Sequence, residues 1–132
     1  MKTFSLVIHD ATHTRKIDDV VSFSGEDKSG SFGILAGRER FITCLMFGMA
    51  RLRTASNEIQ YLAMPGGVLY FENNTLSISA RHFVVSENFE HIHRVLQREI
   101  LDEELQLQSL KKSFHTMENE LMKRLLMSRH AL

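Results

Sequence analysis

Leu76-Ser77-Ile78-Ser79-Ala80-Arg81-His82-Phe83-Val84-Val85-Ser86-Glu87-Asn88-Phe89-Glu90-His91-Ile92-His93 contains the change of pattern on which the fold turns. Its first five residues alternate apolar and polar, as a strand with one buried face does. Near Ser86 the alternation stops, and apolar residues begin to recur three and four apart. Stepping in that heptad rhythm from His93 reaches ten positions up to Arg124, and seven are apolar: Leu96, Ile100, Leu107, Leu110, Phe114, Met117 and Leu121. That spacing is expected of an amphipathic or coiled-coil helix. The chain therefore divides into a β domain over 1–86 and a helical domain over 87–132.

Upstream of the change, all seven glycines and the only proline fall before residue 68. Both residue types punctuate turns. Between them lie short apolar or β-branched runs at Phe4–His9, Ile17–Phe23, Phe41–Phe47, Ile59–Met64, Val68–Phe71 and Leu76–His82. Asn73-Asn74 suits a tight hairpin, because asparagine tolerates positive φ. Many short strands with regular turns predict a sandwich or a barrel.

Downstream, Ser86 or Asn88 is placed to cap the helix. One unbroken helix of about 40 residues would reach about 60 Å, long for so small a domain. A hairpin is more economical, and Asp102-Glu103-Glu104 would suit the first turn of its second helix, where negative charge meets the positive dipole end. With no glycine or proline to enforce a break, an extended form stays accessible. The expected fold class is α+β: a β-sandwich of short antiparallel strands, then a pair of helices, hairpin or extended.

Composition narrows the function. The 132 residues are 43% hydrophobic and 24% charged, and sixteen Lys and Arg balance sixteen Asp and Glu. A neutral chain lacks the basic surplus that phosphate-backbone binding needs. No apolar run approaches the roughly 20 residues that cross a bilayer, and the apolar stretch after Met1 is too short and interrupted for a signal peptide. These features predict a cytoplasmic protein whose contact with membrane comes only through partners.

Candidate chemical groups do not converge. His91 and His93 are two apart in a helix and so diverge, and the other histidines are scattered, which predicts no metal site. Cys44 lies in the apolar run Phe41–Phe47 with no neighbouring base, as expected of a buried thiol rather than a nucleophile. Gly30, Gly33 and Gly37 precede no Lys-Ser or Lys-Thr and no helix, so they read as turn glycines rather than a phosphate loop. No cofactor is expected. Lys111, Lys112, Lys123, Arg124 and Arg129 oppose Glu118 and Glu120, making the tail basic.

Gly30-Ser31-Phe32-Gly33-Ile34-Leu35-Ala36-Gly37-Arg38, running into Phe41-Ile42-Thr43, resembles a segment of the epsilon subunits of F-type ATP synthases. In that family it reads glycine, acidic residue, apolar residue, Gly-Ile-Leu or Gly-Ile-Tyr, Pro-Gly-His, then Leu-Leu-Thr. Gly48-Met49-Ala50-Arg51-Leu52 is similar to the family's Pro-Gly strand start. Pro65-Gly66-Gly67-Val68-Leu69 resembles its Gly-Gly and apolar pair, and Leu76 to Ala80 its valine-rich strand. Order and spacing carry the resemblance, which spans essentially the whole chain. It implies a flattened β-sandwich followed by two helices, in a non-catalytic part of the central stalk that binds the gamma subunit and the c-ring. Carried onto this sequence, the contact residues would be Ser31, Arg38, Glu39, Arg40, Phe41 and Thr43. The helical tail would act as a brake on ATP hydrolysis, its basic end meeting acidic surface on the alpha and beta subunits.

Departures from the family pattern are specific. Its Pro-Gly-His becomes Ala36-Gly37-Arg38, its acidic residue becomes Ser31, and its Ala-Pro becomes Glu39-Arg40. The helix start at Asn88 lacks the Ile-Asp and Arg-Ala pattern that accompanies ATP binding in some bacterial members, so nucleotide binding is expected to be weak or absent. These differences resemble a divergent branch that includes sodium-pumping complexes. A rival expectation is a free-standing regulatory module outside any rotary complex. Another is a small enzyme built on Cys44 and a histidine.

Overall fold

The computed structural model describes residues 2–130, with the side chains of Ser128, Arg129 and His130 outside that description. Nine strands occur among the described residues: β1 (Phe4–His9), β2 (Thr14–Asp27), β3 (Gly30–Leu35), β4 (Phe41–Leu45), β5 (Gly48–Thr54), β6 (Ile59–Met64), β7 (Gly67–Glu72), β8 (Thr75–Ser79) and β9 (Val84–Ser86). They are followed by α1 (Phe89–Val95), a π-helical segment (Leu96–Ile100) and α2 (Leu101–His130).

Hydrogen bonding runs β4-β7-β8-β1-β2-β5-β6-β9, with β3 also on β2. The path folds back on itself as a β-sandwich. Phe71, Leu69, Leu76, Ile78, Leu6 and Ile8 from one face meet Phe23, Ile34, Leu52 and Leu62 from the other in a single buried core. β2 belongs to both faces, pairing β1 through its first half and β3 and β5 through its second. Its register slips against both β1 and β5 near Asp19, whose φ is 57°. Aspartate tolerates this left-handed conformation, and the resulting bulge bends the strand from one sheet into the other.

All pairings are antiparallel except β1 with β8, which is parallel, a departure from the all-antiparallel expectation. Asn73 and Asn74, with φ of 53° and 57°, make the hairpin turn between β7 and β8, as their chemistry predicts. Three strands lay outside the apolar runs of the sequence. β3 is a strand rather than a glycine turn, with Phe32 and Ile34 inward and Ser31, Gly33 and Leu35 outward. β5, with arginines at 51 and 53, was marked only by the family resemblance, and β9 is only three residues long.

Asn88 caps α1: its side-chain oxygen accepts from the His91 amide at 3.1 Å. Ser86 Oγ instead accepts from the Asn88 amide. Ile92, Val95 and Ile100 cover the outer face of β6 at Ala63, with Tyr61, Met49, Val84 and Leu96 at the margin. The Phe89 ring meets Tyr61 edge-on at 5.3 Å. The compact unit built on the sandwich therefore continues through α1 to Leu101, and a second unit begins at Asp102. The backbone is helical in α1, in the π-helical segment and in α2. Asp102, Glu103 and Glu104 lie in the first turn of α2, as their charge predicts.

Candidate partner-binding site

The segment from β3 through β4 holds all six predicted contact residues. Gly37 turns the chain between these strands with φ of 85°, where a side chain would be strained. Its amide donates to Asn74 Oδ1 at 2.7 Å, and the Arg38 amide donates to the Leu35 carbonyl at 3.3 Å. The loop is thereby tied to the β7–β8 hairpin.

Arg38 folds back over its own loop. Its guanidinium donates to the Gly33 carbonyl at 2.9 Å and sits 4.3 Å from the centre of the Phe41 ring. The Phe41 ring is 5.5 Å from Phe32, which in turn is 6.5 Å from buried Phe23. A row of aromatics thus leads from the core to a surface cation, and Arg38 gains cation–π attraction by capping it. Gly25 lets these rings through: a Cβ there would lie 3.0–3.2 Å from Leu45, Phe23 and Phe32.

Arg40 pairs with Glu72 on β7 at 2.9 Å, and the Tyr70 hydroxyl donates to the other oxygen of that carboxylate. At the far end of β4, Thr43 Oγ1 donates to Asp27 Oδ2 at 2.8 Å. Asp27 Oδ1 accepts from the hydroxyl and amide of Ser29. The Ser29 and Thr43 hydroxyls hold the Asp27 carboxyl below its usual range, since donors favour the charged form. Ser31 stands exposed nearby, paired with Glu26 across the β2–β3 ladder, and Glu39 is exposed on the loop. The predicted residues therefore form two groups: Arg38, Glu39, Arg40 and Phe41 at the loop end, Thr43 and Ser31 at the Asp27 end.

Between these groups lies a feature the sequence did not single out. Ile42 is 63% exposed and Val68 51%. Ile42 and Cys44 face outward on β4, paired with Tyr70 and Val68 of β7. β4 has one ladder partner, so it is an edge strand. Leu35 is 63% exposed on the outer face of β3. The unbroken apolar run Phe41–Phe47 hid this, because only alternate residues of it can face the core.

Cys44 is exposed, which corrects the expectation of a buried thiol. The strand pleat turns it away from the core while Phe41, Thr43 and Leu45 turn inward. Its row runs through Val68 and Ser79 to His9. At three strand spacings, about 14 Å, that histidine is out of proton-transfer reach. His9 Nε2 bonds Ser79 Oγ at 2.8 Å instead. Among the described residues no three His, Cys, Asp or Glu side chains are grouped to hold a metal ion.

The predicted helical seam divides. Ile100 is buried and Leu96 partly buried against the sheet. Leu107, Leu110, Phe114, Met117 and Leu121 are 36%, 53%, 60%, 65% and 60% exposed on α2. Lys111, Lys112, Lys123 and Arg124 are exposed too, and the Arg129 side chain lies outside the described residues.

Residues 3–86 match the ATP synthase, Delta/Epsilon chain, beta-sandwich domain family. A protein named ATP synthase epsilon chain 2, from Cereibacter sphaeroides, is 29% identical over 83 residues, covering 62% of this chain. The match spans 57% of that relative's own length. A chain of the Euglena gracilis mitochondrial ATP synthase, solved as OSCP/F1/c-ring, shares the fold at a TM-score of 0.59 and 17% identity, over 68% of this chain and 57% of that one. A chain of the Tetrahymena thermophila mitochondrial ATP synthase central stalk/c-ring does so at 0.52 and 14%, over 64% and 69%. The family match runs over residues 3–86, the whole β-sandwich and more than half of the chain, and the chain belongs to the ATP synthase Delta/Epsilon family.

Proposed function

We propose that this chain is the epsilon subunit of the central stalk of an F-type proton- or sodium-translocating ATP synthase, a non-catalytic part that couples rotation to ATP chemistry done elsewhere. The match of residues 3–86 to the Delta/Epsilon sandwich supports this most directly. Its partners are the gamma subunit and the c-ring, and the contact face runs from β3 to β4. That face suits adhesion. Arg38 and Arg40 are fixed by partners within the chain, so little side-chain freedom is lost on docking. Ile42 and Val68 offer apolar area between the polar anchors, the usual layout of a specific interface. The helical tail brakes ATP hydrolysis through the alpha and beta subunits. The chain sits peripherally at the cytoplasmic face of the membrane, held by the c-ring; among the described residues no helix is long and apolar enough to cross a bilayer.

Co-expression with the cognate gamma subunit, followed by gel filtration, tests the assignment. Co-elution that weakens when Arg38 and Arg40 are changed to Glu is expected. Separate elution of the wild-type chain would overturn it and favour a free-standing regulator.

A further inference from the structure

The loop over residues 36–40 is held at both ends by one hairpin. The Arg38 amide bonded to the Leu35 carbonyl and the φ of 85° at Gly37 mark a type II turn. Such a turn closes through its first and fourth residues, so it gives the Gly37 amide no partner. Asn74 supplies one, its Oδ1 accepting at 2.7 Å from 37 residues away. At the other end of the loop Arg40 is held by Glu72, whose second oxygen accepts from Tyr70.

Asn74 is not the residue that its own turn favours. Glu72 pairs with Thr75, which leaves Asn73 and Asn74 as the two turn residues, with φ of 53° and 57°. A two-residue turn with both φ positive prefers asparagine first and glycine second. Asparagine in the second place forgoes the glycine preference, and its side chain gains the bond to Gly37. Among the described residues the Asn73 side chain makes no such bond. The Asn74 carbonyl also accepts from the Ser5 amide at 3.1 Å, which seats the hairpin tip on β1.

We propose that Asn74 is a positioning residue for the partner-contact loop, an assignment that rests on the stalk reading above. Together with Glu72 it clamps residues 36–40 to the β7–β8 hairpin. Arg38 and Arg40 then meet the gamma subunit already placed, instead of being ordered on contact. Ordering a free loop opposes binding through lost backbone and side-chain freedom, and the clamp removes that cost beforehand.

Paired glycine substitutions in the full chain test this. In Asn74→Gly the Gly37 amide should exchange with solvent about tenfold faster or more, read by NMR. The dissociation constant for the cognate gamma subunit, measured by calorimetry, should rise about tenfold. Asn73→Gly makes the same change one residue earlier and should alter neither. Asn74→Asp keeps an acceptor and tolerates the same φ, so it should keep the Gly37 amide protected. Thermal melts should hold all three variants within about 5 °C of the wild type. Unchanged exchange at Gly37 or unchanged affinity in Asn74→Gly overturns the proposal, as does an equal loss in Asn73→Gly. A larger fall in melting temperature for Asn74→Gly overturns it too, by making Asn74 a residue of stability. Failure of the wild-type chain to bind gamma is a different result: it overturns the stalk reading, and with it the partner given to the loop.

Discussion

Ile100 and Leu121 occupy the same heptad position three repeats apart, yet Ile100 is 0% exposed and Leu121 60% exposed. Replacing each with alanine separates what the stripe does in the free chain from what it offers to others. Ile100→Ala removes a fully buried aliphatic from the cluster with Ala63, Ile92 and Val95, a change that costs about 2–5 kcal/mol. Alanine's better helix propensity returns a few tenths, leaving about 2.5 kcal/mol. For a unit of this size that is a fall in Tm of about 10–20 °C. Leu121→Ala removes a side chain already mostly in water, so its effect should stay within about 0.5 kcal/mol. Urea unfolding followed by circular dichroism reads both. Equal losses would refute the reasoning, because they would mean that Leu121 is buried in the isolated chain or that Ile100 is not.

Three further outcomes follow from other contacts. Thr43→Val takes one donor from Asp27, so the Asp27 carboxyl should titrate closer to its ordinary value, read by its side-chain carbon shift in NMR. Because the folded carboxyl is held low, its contribution to stability is present above about pH 4 and disappears as pH falls through the folded value; an unchanged midpoint would remove Thr43 from that account. Gly37→Ala should cost about 1 kcal/mol from left-handed backbone alone, as no atom lies within 4 Å of the new Cβ. Gly67→Ala should cost about 3 kcal/mol or more, since its Cβ would sit 2.5 Å from the Ser79 carbonyl oxygen of β8; thermal melts that rank the two the other way would contradict the sheet geometry. Deleting residues 106–132 should leave binding to the gamma subunit intact and raise ATP hydrolysis by the reconstituted complex, and an unaltered hydrolysis rate would make the tail structural only.

The parts of this fold legible in the sequence were those that obey local rules. Leu76 to Ala80 alternates because one face is core and the other is not, and Asn73-Asn74 turns because its side chains tolerate the required φ. Asn88 caps because its side chain can accept from the His91 amide. What escaped depends on distant neighbours. β2 was visible only from Ile17 to Phe23, yet it runs from Thr14 to Asp27, since its polar ends are held by β1 and β3 rather than by burial. Gly30 and Gly33 hid β3, whose order comes from β2 beside it. At the candidate site, the anchors Arg38, Arg40 and Thr43 came from family resemblance. The apolar middle at Ile42 and Val68 needed the pleat to show which residues of an all-apolar run face out. The helical seam showed no sign of its division, because Ile100 and Leu107 differ only in having β6 beneath the first of them.

The bulge at Asp19 has a consequence for how the sandwich comes apart. With one strand threaded through both sheets, neither can open alone: releasing β1 from the first half of β2 frees the bend that seats the second half against β5. Amide hydrogens on β8 and on β6, which share no ladder, should then exchange through a single global opening, with equal protection and equal sensitivity to denaturant. A stack of two independent sheets would instead shed its weaker layer first. In the proposed stalk role, force passed from one neighbour to another would run along that shared strand.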